Sequence, residues 1–334
     1  MAVTPVTIVT GALGAGKTTL VNAALRTAQP RRIGVIVNEV GDIGLDGFLL
    51  GDGHAGLLEL TSGCLCCTVR GELDVALARL ARTHLDHIII ETTGIADPGP
   101  VIDAIGRRGD LLRLDAVACV ADARNLAEQL ADARRPEIRR QLELASTVAL
   151  TKTDLVGSAR TIAACERIAA INPLADLHRA TRGELPLHAL IGARAFAPLA
   201  AAHDHHTRHD NHDHDHDHDG HSHMHAEVET IAVRAEGDLD AERIADWLSM
   251  TLAYKGPDLN RIKGILAIEG LEQPIVMHGV HGYLEMADGP RWAPDAERLS
   301  TVVAIGHDLD EALWRQALED CRTRPADPAS SSVD

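Results

Sequence analysis

The sequence predicts an α/β protein: a larger domain on a mostly parallel sheet, followed by a smaller C-terminal α/β domain. Three observations predict it. Short β-branched runs alternate with helical stretches through the first half of the chain. The first of these runs leads straight into a glycine-rich turn and then a helix. Around residue 200 the pattern stops in a His/Asp segment with almost nothing apolar, and a second alternation begins beyond it. Strands joined through helices require right-handed crossovers, which set the strands parallel and cover both faces of the sheet. A chain of 334 residues exceeds the size at which a single core keeps growing. The predicted boundaries are 1–200 for the first domain, 201–226 for a mobile linker, 227–322 for the second domain and 323–334 for a disordered tail.

In the first domain, residues 6–10 read as an apolar strand and 17–28 as a helix. Residues 33–37 form a second buried-type strand, followed by a loop rich in Gly and Asp. Leu73, Leu77 and Leu80 recur at helical spacing and predict an amphipathic helix over 70–82. Residues 87–90, 116–120 and 148–150 are further short strands. In the second domain, strands are expected at 230–233, 264–268, 275–278 and 302–305. A helix over 240–251 places Ile244, Trp247 and Leu248 on one face, and a last helix begins near Leu309. With only three Trp, two Tyr and two Phe, the cores must be built from Ala, Leu, Ile and Val.

Charge excludes some functions. Thirty-two Lys and Arg against 49 Asp and Glu leave a net charge of −17, the wrong sign for a general nucleic-acid binder. No apolar run approaches the roughly 20 residues that span a bilayer, and the N-terminus lacks a basic, signal-like segment. A cytoplasmic protein without nucleic-acid or membrane partners is expected. In that setting, close-set cysteines point to metal or redox chemistry rather than to disulfides.

Gly11-Ala12-Leu13-Gly14-Ala15-Gly16-Lys17-Thr18 carries the P-loop spacing, with a strand before it and a helix opening at Lys17. Only where no Cβ intrudes can successive backbone N–H groups converge on phosphate oxygens, and the helix N-terminus adds its dipole. The first domain is therefore predicted to be a P-loop NTPase. Gly11, Gly14, Ala15, Gly16, Lys17, Thr18 and Thr19 are its phosphate-binding candidates. Lys17 reaches the β- and γ-phosphates, and the Thr18 hydroxyl ligates Mg²⁺.

Glu91-Thr92-Thr93-Gly94 follows the strand over 87–90. An acidic residue there can hold the Mg²⁺ shell, and Gly94 can offer its N–H to the γ-phosphate. Thr151-Lys152-Thr153-Asp154 follows the strand ending at Leu150. There Asp154 can accept from guanine N1 and N2 while the Lys152 stem packs on the base. Thr151 stands where Asn is usual and lacks the amide that braces the loop and touches guanine N7. GTP is still favoured over ATP, because Asp154 is the main discriminator. Asn38-Glu39-Val40-Gly41-Asp42-Ile43-Gly44 suits a mobile switch loop.

Cys64, Cys66 and Cys67 place three thiols within four residues, just before the helix over 70–82. Thiolates suit Zn²⁺, and three ligands leave a coordination position open for transfer. Cys119, Cys165 and Cys321 sit singly in apolar settings and read as buried small residues. His278 and His281 read as structural.

Together these segments resemble the CobW-type (CobW/zinc-regulated) P-loop GTPases, a metallochaperone group allied to the nickel-insertion GTPases of urease and hydrogenase. The likeness is carried by residues 11–20 and 38–46, the Ser62-Gly63-Cys64-Leu65-Cys66-Cys67 run, residues 91–98, and Lys152 to Asp154. In the second domain it is carried by Arg261-Ile262-Lys263-Gly264, His278-Gly279-Val280-His281, Trp292 and residues 298–306. The resemblance implies a metal at the Cys-x-Cys-Cys site, close to the nucleotide and coupled to its state. It adds Glu39 as a carboxylate near Mg²⁺ or the transferred metal. It also implies an unidentified client metalloprotein. No counterpart is expected of the N-terminal extension that some eukaryotic members use for client docking, so their particular client is not carried over.

Residues 203–225 contain 11 of the 19 His and six Asp. His212, His214, His216, His218, His221 and His223 alternate with carboxylates or small polar residues. Neutral imidazoles bind Zn²⁺, Co²⁺ and Ni²⁺ with little selectivity. The segment reads as a metal reservoir in which no single His is essential. The leading reading is a GTP-hydrolysing metallochaperone for Zn²⁺, with Co²⁺ the other cargo. The alternatives are a zinc buffer with nucleotide-gated affinity and, behind it, a P-loop small-molecule kinase.

Overall fold

The computed structural model describes residues 3–27, 32–38, 57–60, 70–180, 185, 190–191, 228–293 and 295–323. The predicted linker and all but the first residue of the predicted tail lie outside them.

The first domain runs β1 (Thr4–Thr10), α1 (Lys17–Thr27), β2 (Ile33–Asn38), β3 (Leu57–Leu60), α2 (Arg70–Leu80), β4 (His87–Glu91) and α3 (Gly99–Gly106). It continues with β5 (Leu112–Asp122), α4 (Leu126–Ala131), α5 (Pro136–Glu143), β6 (Thr147–Thr151), a 3₁₀ turn at Thr153–Leu155, α6 (Ser158–Ile171) and β7 (Asp176–Arg179). Its seven strands form one sheet in the order β3-β2-β4-β1-β5-β6-β7, and every pairing is parallel. β4 and β6 are buried along their whole length, as a sheet covered on both faces requires. One core joins Val6, Ile8, Ile88 and Ile90 to Leu73, Leu77, Ile102 and Ile105. A second, on the opposite face, packs Leu20, Val21 and Ala24 of α1 against Val9, Val35 and Ile89.

The second domain comprises β8 (Glu229–Glu236), α7 (Ala241–Lys255), β9 (Leu259–Leu266), β10 (Ile275–Val280), β11 (Tyr283–Asp288), β12 (Leu299–Gly306) and α8 (Glu311–Asp320). Its separate five-stranded sheet is antiparallel, in the order β11-β10-β9-β12-β8. β8 alternates exposed and buried positions, so one face meets the core beneath α7 and α8. Both helices start on an aspartate: Asp240 and Asp310 each accept two backbone N–H bonds from the first turn. Trp247 and Trp314 meet edge to face at 5.4 Å inside this core.

β9 begins earlier than hydropathy suggests, at Leu259 rather than 264, because its polar residues are buried against the first domain. Arg261 is 1% exposed, and Lys263 Nζ donates to the Leu174 carbonyl at 2.8 Å. The Tyr283 hydroxyl accepts from Leu114 N–H at 3.2 Å, next to the register shift where β5 bulges against β1. The domains thus meet through polar bonds that a hydrophobic pattern does not report.

Candidate nucleotide and metal site

Four adjacent strands, β4, β1, β5 and β6, end on one edge of the sheet. There they deliver Glu91, the P-loop, Asp122 and Thr151 to a single crevice. This is where a parallel sheet offers its ligand site.

Close packing fixes the loop. Gly11 has φ +134°, and a Cβ there would lie 2.2 Å from the Val120 carbonyl oxygen, so only glycine lets β1 turn this tightly against β5. Gly14 and Gly16 also have positive φ. Lys17, 8% exposed, folds over the loop and donates to the Gly11 and Ala12 carbonyls at 2.8 and 3.1 Å. Burial lowers the Lys17 pKa, and the Glu91 carboxylate opposes that shift. The Thr18 hydroxyl donates to Glu91 Oε1 at 2.6 Å, so the first turn of α1 and the end of β4 are already joined. These are oxygen donors only, the set a hard divalent cation takes.

On the base side, Lys152 adopts a left-handed conformation with φ +57° and starts the 3₁₀ turn. Its Nζ bonds the Gly14 carbonyl at 2.6 Å and the buried Asp122 carboxylate at 2.8 Å. Asp154 is exposed at the same turn. The expected loss of the loop brace at Thr151 does not occur. The Thr151 hydroxyl lies 2.7 Å from the Ala15 carbonyl and 3.1 Å from that of Ala121, and its one hydrogen serves the shorter contact. Thr therefore supplies the brace that an amide would, although it offers nothing toward guanine N7.

Gly94 meets the P-loop directly: a Cβ there would lie 2.4 Å from Leu13 N and 2.7 Å from Leu13 Cα. The structure thus brings together Gly11, Gly14, Ala15, Gly16, Lys17, Thr18, Thr19, Glu91, Gly94, Lys152 and Asp154.

Sequence reasoning missed two participants. Asp122 receives Lys152, Arg124 N–H and the Asn125 amide, and its polar strand-end position was the available signal. Gln141 donates to the Gly94 and Ala96 carbonyls, and no sequence signal marks it.

Glu39, Cys64, Cys66, Cys67 and the histidines from His212 to His223 lie outside the described residues. Among the described residues no group of three or more His, Cys, Asp or Glu could hold a metal ion. His278 is buried, as are Cys119 and Cys321; Cys165 is half-buried. Among the described residues no helix is long and apolar enough to cross a membrane.

The family model of the CobW/HypB/UreG nucleotide-binding domain matches residues 5–179. The chain belongs to the CobW/HypB/UreG family. The model of the cobalamin synthesis protein CobW C-terminal domain matches residues 228–322, which is the antiparallel domain described above. The chain is 36% identical to the zinc chaperone CobW of Pseudomonas aeruginosa, over 92% of this chain and 88% of that one. It is 32% identical to the zinc chaperone YjiA of Escherichia coli, over 95% of this chain and 98% of that one. The crystal structure of Zn(II)-bound YjiA GTPase from E. coli matches with a TM-score of 0.68 at 27% identity, covering 97% and 100% of the two chains. The first domain is thus the nucleotide-binding domain of a P-loop GTPase.

Proposed function

We propose that this protein is a GTP-hydrolysing metallochaperone that takes up Zn²⁺ as cargo at Cys64, Cys66 and Cys67 and hands it to a client metalloprotein. In this reading Gly11, Gly14, Ala15, Gly16, Lys17, Thr18 and Thr19 hold the phosphates of GTP, and Lys152 and Asp154 hold the base. Thr18 and Glu91 hold Mg²⁺, which supplies charge neutralisation at the transferring phosphoryl group. Lys17 adds a second cation there, and the Gly94 N–H meets the γ-phosphate. Phosphoryl transfer asks little covalent help of the protein, so positioning and charge carry the rate.

The observation that carries the metal assignment is where the described strands stop. β2 ends at Asn38, directly before Glu39, and β3 ends at Leu60, shortly before Cys64. Both are parallel neighbours in the sheet and end on the edge that carries the P-loop. The described strands that lead into Glu39 and the cysteine run thus end on the edge that carries the P-loop, which supports coupling of metal to nucleotide. The names of the relatives support Zn²⁺ over Co²⁺, which the same thiolates would also accept. A cytoplasmic location agrees with keeping three thiols reduced.

The 11 histidines of residues 203–225 favour a second reading, a zinc buffer, and one comparison separates the two. Replacing Cys64, Cys66 and Cys67 by Ser should abolish the tightest Zn²⁺ site, whereas deleting 203–225 should lower capacity and leave that site intact. Loss of the tight site with the deletion and its survival in the Ser variant would favour buffering.

A further inference from the structure

Helix α5 reaches the nucleotide site through Gln141, and the residue before it, Arg140, reaches in another direction. Gln141 is 1% exposed. Its amide nitrogen donates to the Ala96 carbonyl at 2.9 Å and the Gly94 carbonyl at 3.4 Å. Two carbonyls facing one amide fix its orientation, since the flipped amide would set oxygen against oxygen. Its Oε1 is buried and accepts no bond among the described residues. Such an acceptor costs stability, which points to a side chain kept for what its donor holds. What the donor holds is the segment between Glu91 and α3, the same segment whose Gly94 packs on Leu13.

Arg140 faces the second domain. Its guanidinium donates to Asn260 Oδ1, to the Pro257 carbonyl at 3.5 Å and to His281 Nδ1 at 3.2 Å. It also lies 3.9 Å from the carboxylate of Asp97, in the Gly94 segment, and 3.9 Å from Glu143. Asn260 is held from below as well, its amide donating to Glu143 at 3.2 Å. His281, at the β10–β11 turn with φ +54°, closes the circuit. Its Nε2 is 3.8 Å from Asp103 and would be 3.2 Å from a Cβ on Gly99. It therefore rests on the first turn of α3, directly after the Gly94 segment. Burial holds the imidazole below its ordinary pKa, which suits Nδ1 as an acceptor.

We propose that Gln141 is a positioning residue for the Gly94 segment, and that the adjoining Arg140 contacts with Asn260 and His281 pass the state of that segment to the C-terminal domain. The inference rests on the reading of Gly94 as the γ-phosphate contact and is independent of the metal cargo. GDP, which has no γ-phosphate, should leave the segment in one position and Mg²⁺ with a non-hydrolysable GTP analogue in another. The domain that carries β9 and the β10–β11 turn would feel the difference through one guanidinium.

Two measurements on the full chain test this. In the wild-type protein, amide hydrogen exchange over 257–262 and 278–284 should differ between GDP and the Mg²⁺·GTP analogue; identical exchange overturns the proposal. Gln141→Leu should lower kcat for GTP hydrolysis by about tenfold, the scale of two weak hydrogen bonds. Its GDP affinity should stay within about threefold, and the exchange difference should vanish. Gln141→Asn should recover part of kcat only. A merely structural role for Gln141 would lower thermal stability, leave the exchange difference in place and not separate kcat from GDP binding; that result also overturns it. Gly94→Ala run in parallel locates any failure. Full activity in Gly94→Ala refutes the γ-phosphate reading, whereas a slow Gly94→Ala beside a fully active Gln141→Leu refutes only the role of α5. Should the Gln141 variants fail to fold, the wild-type exchange comparison still decides.

Discussion

Gly94→Ala is the sharpest single perturbation that the site offers. The added methyl would sit 2.4, 2.7 and 2.9 Å from Leu13 N, Cα and Cβ, against contacts of about 3.5 Å or more for unstrained carbon packing. One of the two segments must therefore retreat by about 1 Å. The P-loop is the worse candidate. Gly11 is wedged against Val120, Thr151 bonds the Ala15 carbonyl at 2.7 Å, and Lys152 bonds the Gly14 carbonyl at 2.6 Å. Among the described residues the Gly94 segment is held by longer contacts, the Gln141 bonds at 2.9 and 3.4 Å, the Thr92 N–H bond to the Val9 carbonyl at 2.9 Å and the Asp97–Arg140 pair at 3.9 Å, so it yields first, and a 1 Å retreat takes both Gln141 contacts beyond bonding distance. Overpacking of this kind costs about 1–3 kcal/mol. Expressed where the γ-phosphate is bound, that becomes a loss of about 5- to 150-fold in hydrolysis. Single-turnover GTP hydrolysis and GDP affinity should be measured on the same preparation. The expected outcome is kcat lowered by at least about fivefold, with GDP affinity within about threefold of wild type. Hydrolysis within twofold of wild type, or a parallel loss of GDP affinity, would refute the reasoning.

Two further outcomes follow from buried ionisable groups. Burial, with Arg261 beside it, lowers the Lys263 pKa to about 8, below the value of about 10.4 for an exposed lysine. Below pH 8 both folded and unfolded chains carry the proton, and between there and about pH 10.4 only the unfolded chain does. Stability should therefore rise with pH across that window, by up to about 3 kcal/mol. Denaturant titrations at pH 7.5 and 9.5 should show a rise in wild type that is smaller in Lys263→Met; equal slopes would contradict it. Burial also pushes the Cys119 thiol up to about 12, so iodoacetamide should leave Cys119 unmodified in the native protein at pH 8 and modify it after unfolding. Native labelling of Cys119, read by peptide mass, would contradict its placement.

The parallel sheet and the phosphate loop are legible in the sequence because both depend on local signals. Buried strands read as unbroken Val and Ile runs, and the loop needs glycine at fixed offsets from Lys17. The same holds for α7, whose Ile244 and Leu248 face the core as the spacing predicts. β7 is hidden because it is a short edge strand in which Leu177 alone is apolar, and the start of β9 because Asn260 and Arg261 are buried at a polar interface that no periodicity encodes. Thr151 shows the limit in the other direction. Side-chain type alone suggests a missing brace, yet a hydroxyl placed 2.7 Å from the Ala15 carbonyl restores it. Gln141 was invisible because its role depends on α5 crossing beneath the Gly94 segment, a contact between residues 47 positions apart.

Coupling between the nucleotide and the cargo is the claim on which the metallochaperone reading stands, and one titration addresses it. The affinity for Zn²⁺ of the protein lacking residues 203–225, whose histidines would otherwise mask the tight site, should be measured in the GDP state and in the Mg²⁺·GTP-analogue state. Metal held by Cys64, Cys66 and Cys67 should be bound at least about tenfold more tightly in the triphosphate state, a coupling of about 1.4 kcal/mol. Equal affinity in the two states would contradict nucleotide-driven delivery.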